Sequence, residues 1–159
     1  MPIIHIQTII QSTPQLVFDL ARSIDLHTIS TAHTKERAIA GTTTGLIALG
    51  EQVTWRAKHL GFYWELTSHI TAYNPPFSFV DEQLKGVFKR FKHEHIFKYV
   101  PNGILMEDVF DYTAPLGILG NLADVLFLKT YMKKLLSRRN AIIKTYAESD
   151  AWRTVLKNP

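Results

Sequence analysis

The stretch from Phe88 to Tyr99, "FKRFKHEHIFKY", decides the fold because two kinds of side chain alternate along it. Successive side chains of a β-strand point to opposite faces, so the alternation assigns two faces. One face carries aromatic residues and histidines: Phe91, His93, His95, Phe97 and Tyr99. The other face is mainly charged. Because a charged row faces water, we expect the aromatic and histidine row to face the protein interior.

The chain around this stretch has the pattern of short strands separated by turn formers. The segments before it are "KERAIAG", "EQVTWRAKHLG", "FYWELTSHITAY" and "FSFVDEQ", and "GILMEDVFDYT" follows it after "PNG". Ile3 to Ile10 is rich in β-branched residues and predicts a further strand. Short connections favour antiparallel pairing of consecutive strands. The sequence therefore predicts a seven-stranded antiparallel sheet.

Helical patterns lie on either side of the strand-rich region. "STPQLVFDLAR" and "SIDLHTI" predict two short helices, with Thr13 and Ser23 as N-caps. Apolar residues from Leu119 to Tyr146 recur at spacings of three and four, which predicts a helix of about thirty residues. This order of strands and helices predicts an α+β helix-grip architecture. In it, a curved sheet wraps around a long C-terminal helix, with a cavity between them. We expect residues 1–159 to form one domain.

The amino-acid composition limits the cellular compartment and the reactions that are open to the protein. Of the 159 residues, 46% are hydrophobic and none is cysteine, so disulfides and thiolate chemistry are excluded. The start "MPIIHIQTII" lacks the basic segment and cleavage site of a signal peptide. We therefore expect a cytoplasmic protein.

Several polar residues are predicted to point inward with the aromatic rows. Alternation places His59, Asp81, Gln83 and Asp108 on the inner face, together with the two histidines of the central strand. A two-residue loop at Asn102-Gly103 would keep the rows of the last two strands on one face. An unpaired buried polar group costs about 1–3 kcal/mol. These residues therefore either pair with one another or line a cavity.

Other functions are open from the residues alone. His93 and His95 could bind a metal with His59 and an aspartate, but hydrogen bonding between buried His and Asp explains the same residues more simply. General acid–base catalysis by these histidines is another alternative. Two basic clusters, Lys85–Lys98 and Lys129–Lys144, are typical of solvated faces but could attract anionic lipid. Nucleic-acid binding is disfavoured, because the aromatic residues lie opposite the bases.

The motifs resemble the START-like helix-grip (SRPBCC) superfamily over about Ile3 to Glu148. The resemblance is carried first by Phe79, Asp81, Gln83, Gly86, Phe91, His93, His95 and Phe97, and then by Met106, Asp108, Tyr112, Pro115 and Gly117. These motifs are most similar to a bacterial ligand-binding branch described as polyketide cyclase/dehydrase-like or cell-division-inhibitor-like. Phe91 stands where relatives often carry Trp. The resemblance implies a deep hydrophobic cavity under the long helix and no defined reaction.

We therefore predict a protein that binds a hydrophobic small molecule, such as a lipid, quinone or polyketide-like compound. The predicted ligand-binding residues are Trp55, His59, Phe79, Asp81, Gln83, Phe91, His93, His95, Phe97, Met106, Asp108, Phe110, Tyr112, Leu122 and Leu126. No metal or other cofactor is predicted, and the sequence leaves the oligomeric state open. The alternatives are a cyclase or dehydratase using His93 or His95 as general base, and a peripheral membrane or interaction module.

Overall fold

Seven antiparallel strands form a single sheet in the computed structural model, which describes residues 2–115, 122 and 127–157. The strands are β1 (Ile3–Ile10), β2 (Arg37–Gly41), β3 (Gln52–His59), β4 (Phe62–Asn74), β5 (Ser78–Lys85), β6 (Arg90–Val100) and β7 (Gly103–Thr113). Their order is β1-β7-β6-β5-β4-β3-β2, so β2 to β7 form a meander and β1 pairs with the last strand. The predicted seven-stranded antiparallel sheet is confirmed.

Two short helices follow β1, as the capping signals predicted. They are α1 (Pro14–Ala21) and α2 (Ile24–Ser30). Thr13 Oγ1 accepts a hydrogen bond from the Leu16 amide at 3.3 Å, and Ser23 Oγ accepts one from the Leu26 amide at 3.1 Å. Each cap satisfies a backbone donor that the helix leaves free, which stabilises it by about 1 kcal/mol.

The C-terminal helix α3 (Lys129–Ala147) packs against β1, α1 and α2. Its buried residues recur at helical spacing: Leu136, Arg139, Asn140, Ile143 and Ala147. The nineteen residues of α3 are the later part of the predicted thirty-residue helix. Leu119 and Leu126, from the predicted earlier part, lie outside the described residues.

The core is divided into two apolar clusters. The first centres on Phe18, whose ring lies 5.5 Å from those of Phe79 and Phe97. The second contains Phe91, Phe110, Tyr112, Ile4 and Leu136. Along β6 and β7, the residues between the two clusters are His93, His95 and Asp108. A polar layer therefore interrupts the apolar core.

The β6–β7 turn corrects the predicted register. Its central residues are Pro101 and Asn102, and Val100 pairs with Gly103, so the predicted loop at Asn102-Gly103 was wrong. Proline suits the first central position of a turn because its φ is fixed and it needs no amide partner. The register moves by two residues, so the inner rows still share one face.

Tyr99 also departs from the sequence prediction. It was predicted to point inward with Phe97, but its side chain is 70% exposed. The alternation itself holds, since Phe97 is 2% exposed two residues earlier. Tyr99 lies beside the turn at the end of β6, where solvent reaches the inner row.

Gly103 provides the first test of the turn. Its φ of +134° is a conformation that side chains rarely adopt, and an added Cβ would lie 2.3 Å from the Ile10 carbonyl oxygen. We expect Gly103→Ala to lower the free energy of unfolding by about 3 kcal/mol through strain and collision with β1. Urea unfolding measures this change.

Gly45→Ala is the matched control. Gly45 has a φ of +77° but nothing within 4 Å of an added Cβ, so only the backbone conformation is penalised. We expect a cost of about 1 kcal/mol there. Equal losses in the two variants would contradict the close approach of Gly103 to Ile10.

Candidate functional site: a buried polar network beside a partly open cavity

Asp108 is the centre of a hydrogen-bonded network in the polar layer. It is 1% exposed and lies on β7 directly opposite His95 of β6. His93 Nε2 lies 2.9 Å from Asp108 Oδ1 and is hydrogen-bonded to it. His95 Nδ1 lies 2.8 Å from the same oxygen, outside the angular range of a regular hydrogen bond. Because an ionised carboxylate only accepts, the His93 nitrogen that is hydrogen-bonded to it carries a proton.

Helix α3 completes the network from the opposite side. Asn140 Nδ2 donates to Asp108 Oδ2 at 2.6 Å, and an Arg139 guanidinium nitrogen lies 3.6 Å from Asp108 Oδ1. The same guanidinium donates to the Ala21 carbonyl at 2.7 Å, at the C-terminal end of α1. A cation is favourable there because helix C-termini carry partial negative charge. The network thus joins the sheet to α1 and α3.

Burial and neighbouring charge set the protonation states in this network. Burial and, to a lesser extent, the nearby His93 lower the pKa of His95 to about 3, against the opposing effect of Asp108. Burial by itself raises the pKa of Asp108, but the two histidines outweigh it and hold that pKa well below the usual range. At neutral pH we therefore expect an ionised Asp108 and a neutral His95.

A partly open cavity of about 90 Å³ lies beside the network. Its polar lining comprises Arg22, Ser23, His27, Ser68, Asp81, His93, His95 and Arg139. Trp55, Phe79, Ile70 and Leu136 provide much of its apolar lining. The volume is below the 300–1,000 Å³ that is common for drug-sized ligands. It has room for a small polar group or a few waters.

Asp81 is a cavity residue whose hydrogen bonding is incomplete. Burial raises the pKa of its carboxyl group, and a hydrogen bond with Ser68 opposes that rise. Its Oδ1 is buried without a hydrogen-bond partner in the described part of the chain. A buried acceptor left unpaired costs about 1–3 kcal/mol. This oxygen is therefore available to a donor that enters the cavity.

The structure brings only some of the predicted ligand-binding residues to the cavity. Trp55, Phe79, Asp81, His93 and His95 line it. The others that are buried belong to the network or to the two apolar clusters: Asp108, Phe91, Phe97, Met106, Phe110 and Tyr112. Leu122 is 59% exposed, and Leu126 lies outside the described residues. Gln83 donates to the Phe88 carbonyl at 2.8 Å, away from the cavity.

His59 belongs to a different group of polar residues near the β3–β4 turn. Its Nδ1 lies 2.6 Å from the Tyr131 hydroxyl of α3. Burial lowers the pKa of His59, while the negative charge of Glu36 raises it. His59 is therefore part of the contact between β3 and the start of α3.

Sequence reasoning missed Arg139 and Asn140. Arg139 was assigned to a basic cluster typical of solvated faces, but it is 6% exposed, and Asn140 is 1% exposed. The signal was their helical spacing: they lie three and four residues after Leu136 and precede Ile143 by similar intervals. Two polar residues on the apolar stripe of a helix predict a buried polar contact.

The donor chemistry of the network favours hydrogen bonds over a metal ion. His93, His95 and Asp108 place ligand atoms within 4.8 Å of one another. However, His93 Nε2 is hydrogen-bonded to Asp108, and the Arg139 cation lies beside the same carboxylate oxygen. A metal would require the His93 proton to be lost next to a fixed positive charge.

The fold closely matches solved structures at low sequence identity. The Thermus thermophilus protein TTHA0849 superimposes with a TM-score of 0.71 at 15% identity, over 92% of this chain and 99% of that chain. The major latex-like protein 151 of Panax ginseng superimposes with a TM-score of 0.68 at 15% identity, over 93% of this chain and 98% of that chain. The di-domain ARO/CYC StfQ of the steffimycin biosynthetic pathway superimposes with a TM-score of 0.70 at 16% identity, over 94% of this chain and 51% of that chain.

The chain therefore shares the fold of these solved structures, and the predicted helix-grip architecture is confirmed. No protein-family model and no curated protein matches the sequence. Among the helices of the described residues, none is long and apolar enough to cross a membrane.

Proposed function

We propose that the protein binds a hydrophobic small molecule whose polar end enters the cavity beside the His93–Asp108 network. The observation that carries this proposal is the unpaired Asp81 Oδ1 at a cavity lined by Ser68 and Arg139. A ligand hydroxyl fits this chemistry, because it can donate to Asp81 and accept from the guanidinium of Arg139. A lipid, quinol or polyketide-like compound carries such a group on an apolar body.

The apolar body of the ligand would extend from the cavity along the inner surface toward the start of α3. Leu136 lines the cavity, and Leu66, Leu128 and Met132 pack on the same apolar cluster while only partly buried. These flexible side chains can move apart more easily than a fully packed core, and methionine adapts its shape readily. The 90 Å³ cavity would then hold the polar end alone.

Extraction of the purified protein tests the proposal. We expect solvent extraction and mass spectrometry after gentle purification to recover a hydrophobic compound in near-stoichiometric amount. We expect Asp81→Asn to reduce that amount about tenfold, since one of the two acceptor oxygens is replaced by an NH₂ donor. Glu82→Gln, next to Asp81 on the opposite face of β5, is the matched control and should retain the compound.

Two results would count against ligand binding at this cavity. One is wild-type protein that releases no organic compound and binds no apolar fluorescent probe. The other is a compound retained equally by the wild type and Asp81→Asn. Circular dichroism of both variants separates loss of ligand from loss of fold.

A cyclase or dehydratase activity is the second candidate, supported by the orientation of two histidines by Asp108. A general base works best with a pKa near the operating pH. The pKa of about 3 for His95 therefore suits a neutral hydrogen-bond acceptor better than a base. Activity on a bound compound that persists in the His93→Gln, His95→Gln double variant would exclude this role.

A further inference from the structure

One end of the molecule exposes several large apolar side chains. Leu60, Phe62 and Trp64 of the β3–β4 hairpin are 66%, 68% and 47% exposed, and Phe127, just before α3, is 45% exposed. We call these four residues the hairpin patch. The ring of Phe127 stacks on that of Tyr131, with 5.5 Å between the ring centres. The hydrogen bond between the Tyr131 hydroxyl and His59 joins the start of α3 to the hairpin. Clustered exposed apolar residues mark interaction surfaces.

The tip of the hairpin holds its leucine in an unfavourable conformation. The turn residues Leu60 and Gly61 have φ values of 53° and 85°, the left-handed region that turns of this kind require. Asn, Asp or Gly normally occupies such a position, and leucine there costs about 1–2 kcal/mol. The side chain does not offset this cost by packing, since it is mostly exposed. An apolar surface outside the chain would offset this cost.

Basic residues lie near the patch, on the outer face of the hairpin and on α3. Arg56 and Lys58 lie on the outer face of β3, 5.0 and 5.9 Å from the centre of the Tyr63 ring. Lys129, Lys133 and Lys134 are exposed on the first two turns of α3. No acidic residue occurs from Lys129 to Lys144, and Glu65 is the acid of the hairpin between Gln52 and Asn74. Each base near an anionic lipid surface contributes roughly 1 kcal/mol of attraction.

We propose that the hairpin patch docks the protein on an anionic membrane surface. Leu60, Phe62 and Trp64 would insert among the lipid headgroups, and the five surrounding bases would lie at the phosphates. Aromatic side chains with an apolar body and a polar edge are suited to this interface. The combination of insertion and charge gives the reversible binding typical of peripheral proteins.

Other occupants fit the patch less well. In a two-fold dimer through the patch, the bases around it would face their own copies, which costs several kcal/mol. Single-stranded nucleic acid stacks on aromatic side chains, but it gains nothing from the exposed leucine at the tip. Lipid uses the apolar, aromatic and basic groups together.

Flotation of the full chain with lipid vesicles tests the proposal. We expect binding to phosphatidylcholine–phosphatidylglycerol vesicles at low salt, weaker binding at high salt, and little binding to phosphatidylcholine alone. Leu60→Asn should reduce vesicle affinity about tenfold, because one leucine no longer inserts. Leu60→Asn should leave the fold intact, because asparagine readily adopts the left-handed backbone conformation.

Leu49→Asn is the matched control. Leu49 is 58% exposed but precedes β3, at the opposite end of that strand from Leu60, so its replacement should leave vesicle binding unchanged. Asp81→Asn should also bind vesicles normally, which separates membrane docking from ligand binding in the cavity. Equal losses in Leu60→Asn and Leu49→Asn, no binding to anionic vesicles, or concentration-dependent dimers that Leu60→Asn abolishes would each overturn the proposal.

Discussion

Asp108→Asn is expected to lower the free energy of unfolding by about 3–5 kcal/mol, because it removes the carboxylate nearest to the buried Arg139 cation. Asp108 lies 3.6 Å from the Arg139 guanidinium and accepts hydrogen bonds from His93 and Asn140. The substitution leaves Arg139 buried without its nearest negative partner. Urea unfolding, followed by fluorescence of the three tryptophans, measures the change.

Asp111→Asn is the matched control for this prediction. Asp111 lies on the same strand and also pairs with an arginine, with 2.7 Å between Arg90 and the carboxylate. Its side chain is 29% exposed and that of Arg90 is 40% exposed, so solvent screens the pair. We expect a loss of at most about 1 kcal/mol. If Asp108→Asn lowers the free energy of unfolding as little as Asp111→Asn does, the network does not hold the sheet, α1 and α3 together.

Acidification is expected to destabilise the protein from about pH 6.5 downward. The pKa of His95 falls from 6.5 to about 3 on folding, so between these values the unfolded chain binds a proton that the folded chain does not. The contribution of His95 to the free energy of unfolding is therefore fully present above pH 6.5. It declines as the pH falls, by roughly 1 kcal/mol per pH unit. Protonation of Asp108, whose pKa is also lowered, continues the loss below pH 4.

Comparison with His95→Gln isolates the contribution of this histidine. Glutamine does not titrate, so the variant should show a smaller decline in unfolding free energy between pH 8 and pH 5 than the wild type. Taking the difference between the two pH values removes the constant cost of the substitution. Identical pH dependence in both proteins would show that His95 is protonated equally in the folded and unfolded chains.

Much of the fold could be predicted from short-range patterns. The alternation in β6 correctly placed Phe91, His93, His95 and Phe97 inside, because the period of a strand is fixed by its backbone. The capping residues Thr13 and Ser23 were predictable because a cap acts within three residues of itself. The pattern was less reliable at strand ends: Tyr99 follows the alternation but is exposed, since solvent access there depends on which other elements reach the turn.

The candidate site was only partly predictable, because its partners come from distant parts of the chain. The inward direction of His93, His95 and Asp108 followed from alternation, but their pairing depended on a turn whose register was predicted two residues away from the observed one. Arg139 was assigned to solvent, since a basic residue within a basic segment is usually exposed. Its burial requires an acceptor at the end of α1 and a carboxylate on β7.

The sequence by itself determined the order of strands and helices and which side chains line the interior, since backbone periodicity and capping act locally. Only the tertiary structure decided that two histidines share one carboxylate, that Arg139 and Asn140 close the network, and that Asp81 keeps an unpaired oxygen beside a small cavity. Hydrogen bonds act over about 3 Å, so they depend on register and helix docking. These are set by the packing of the whole chain.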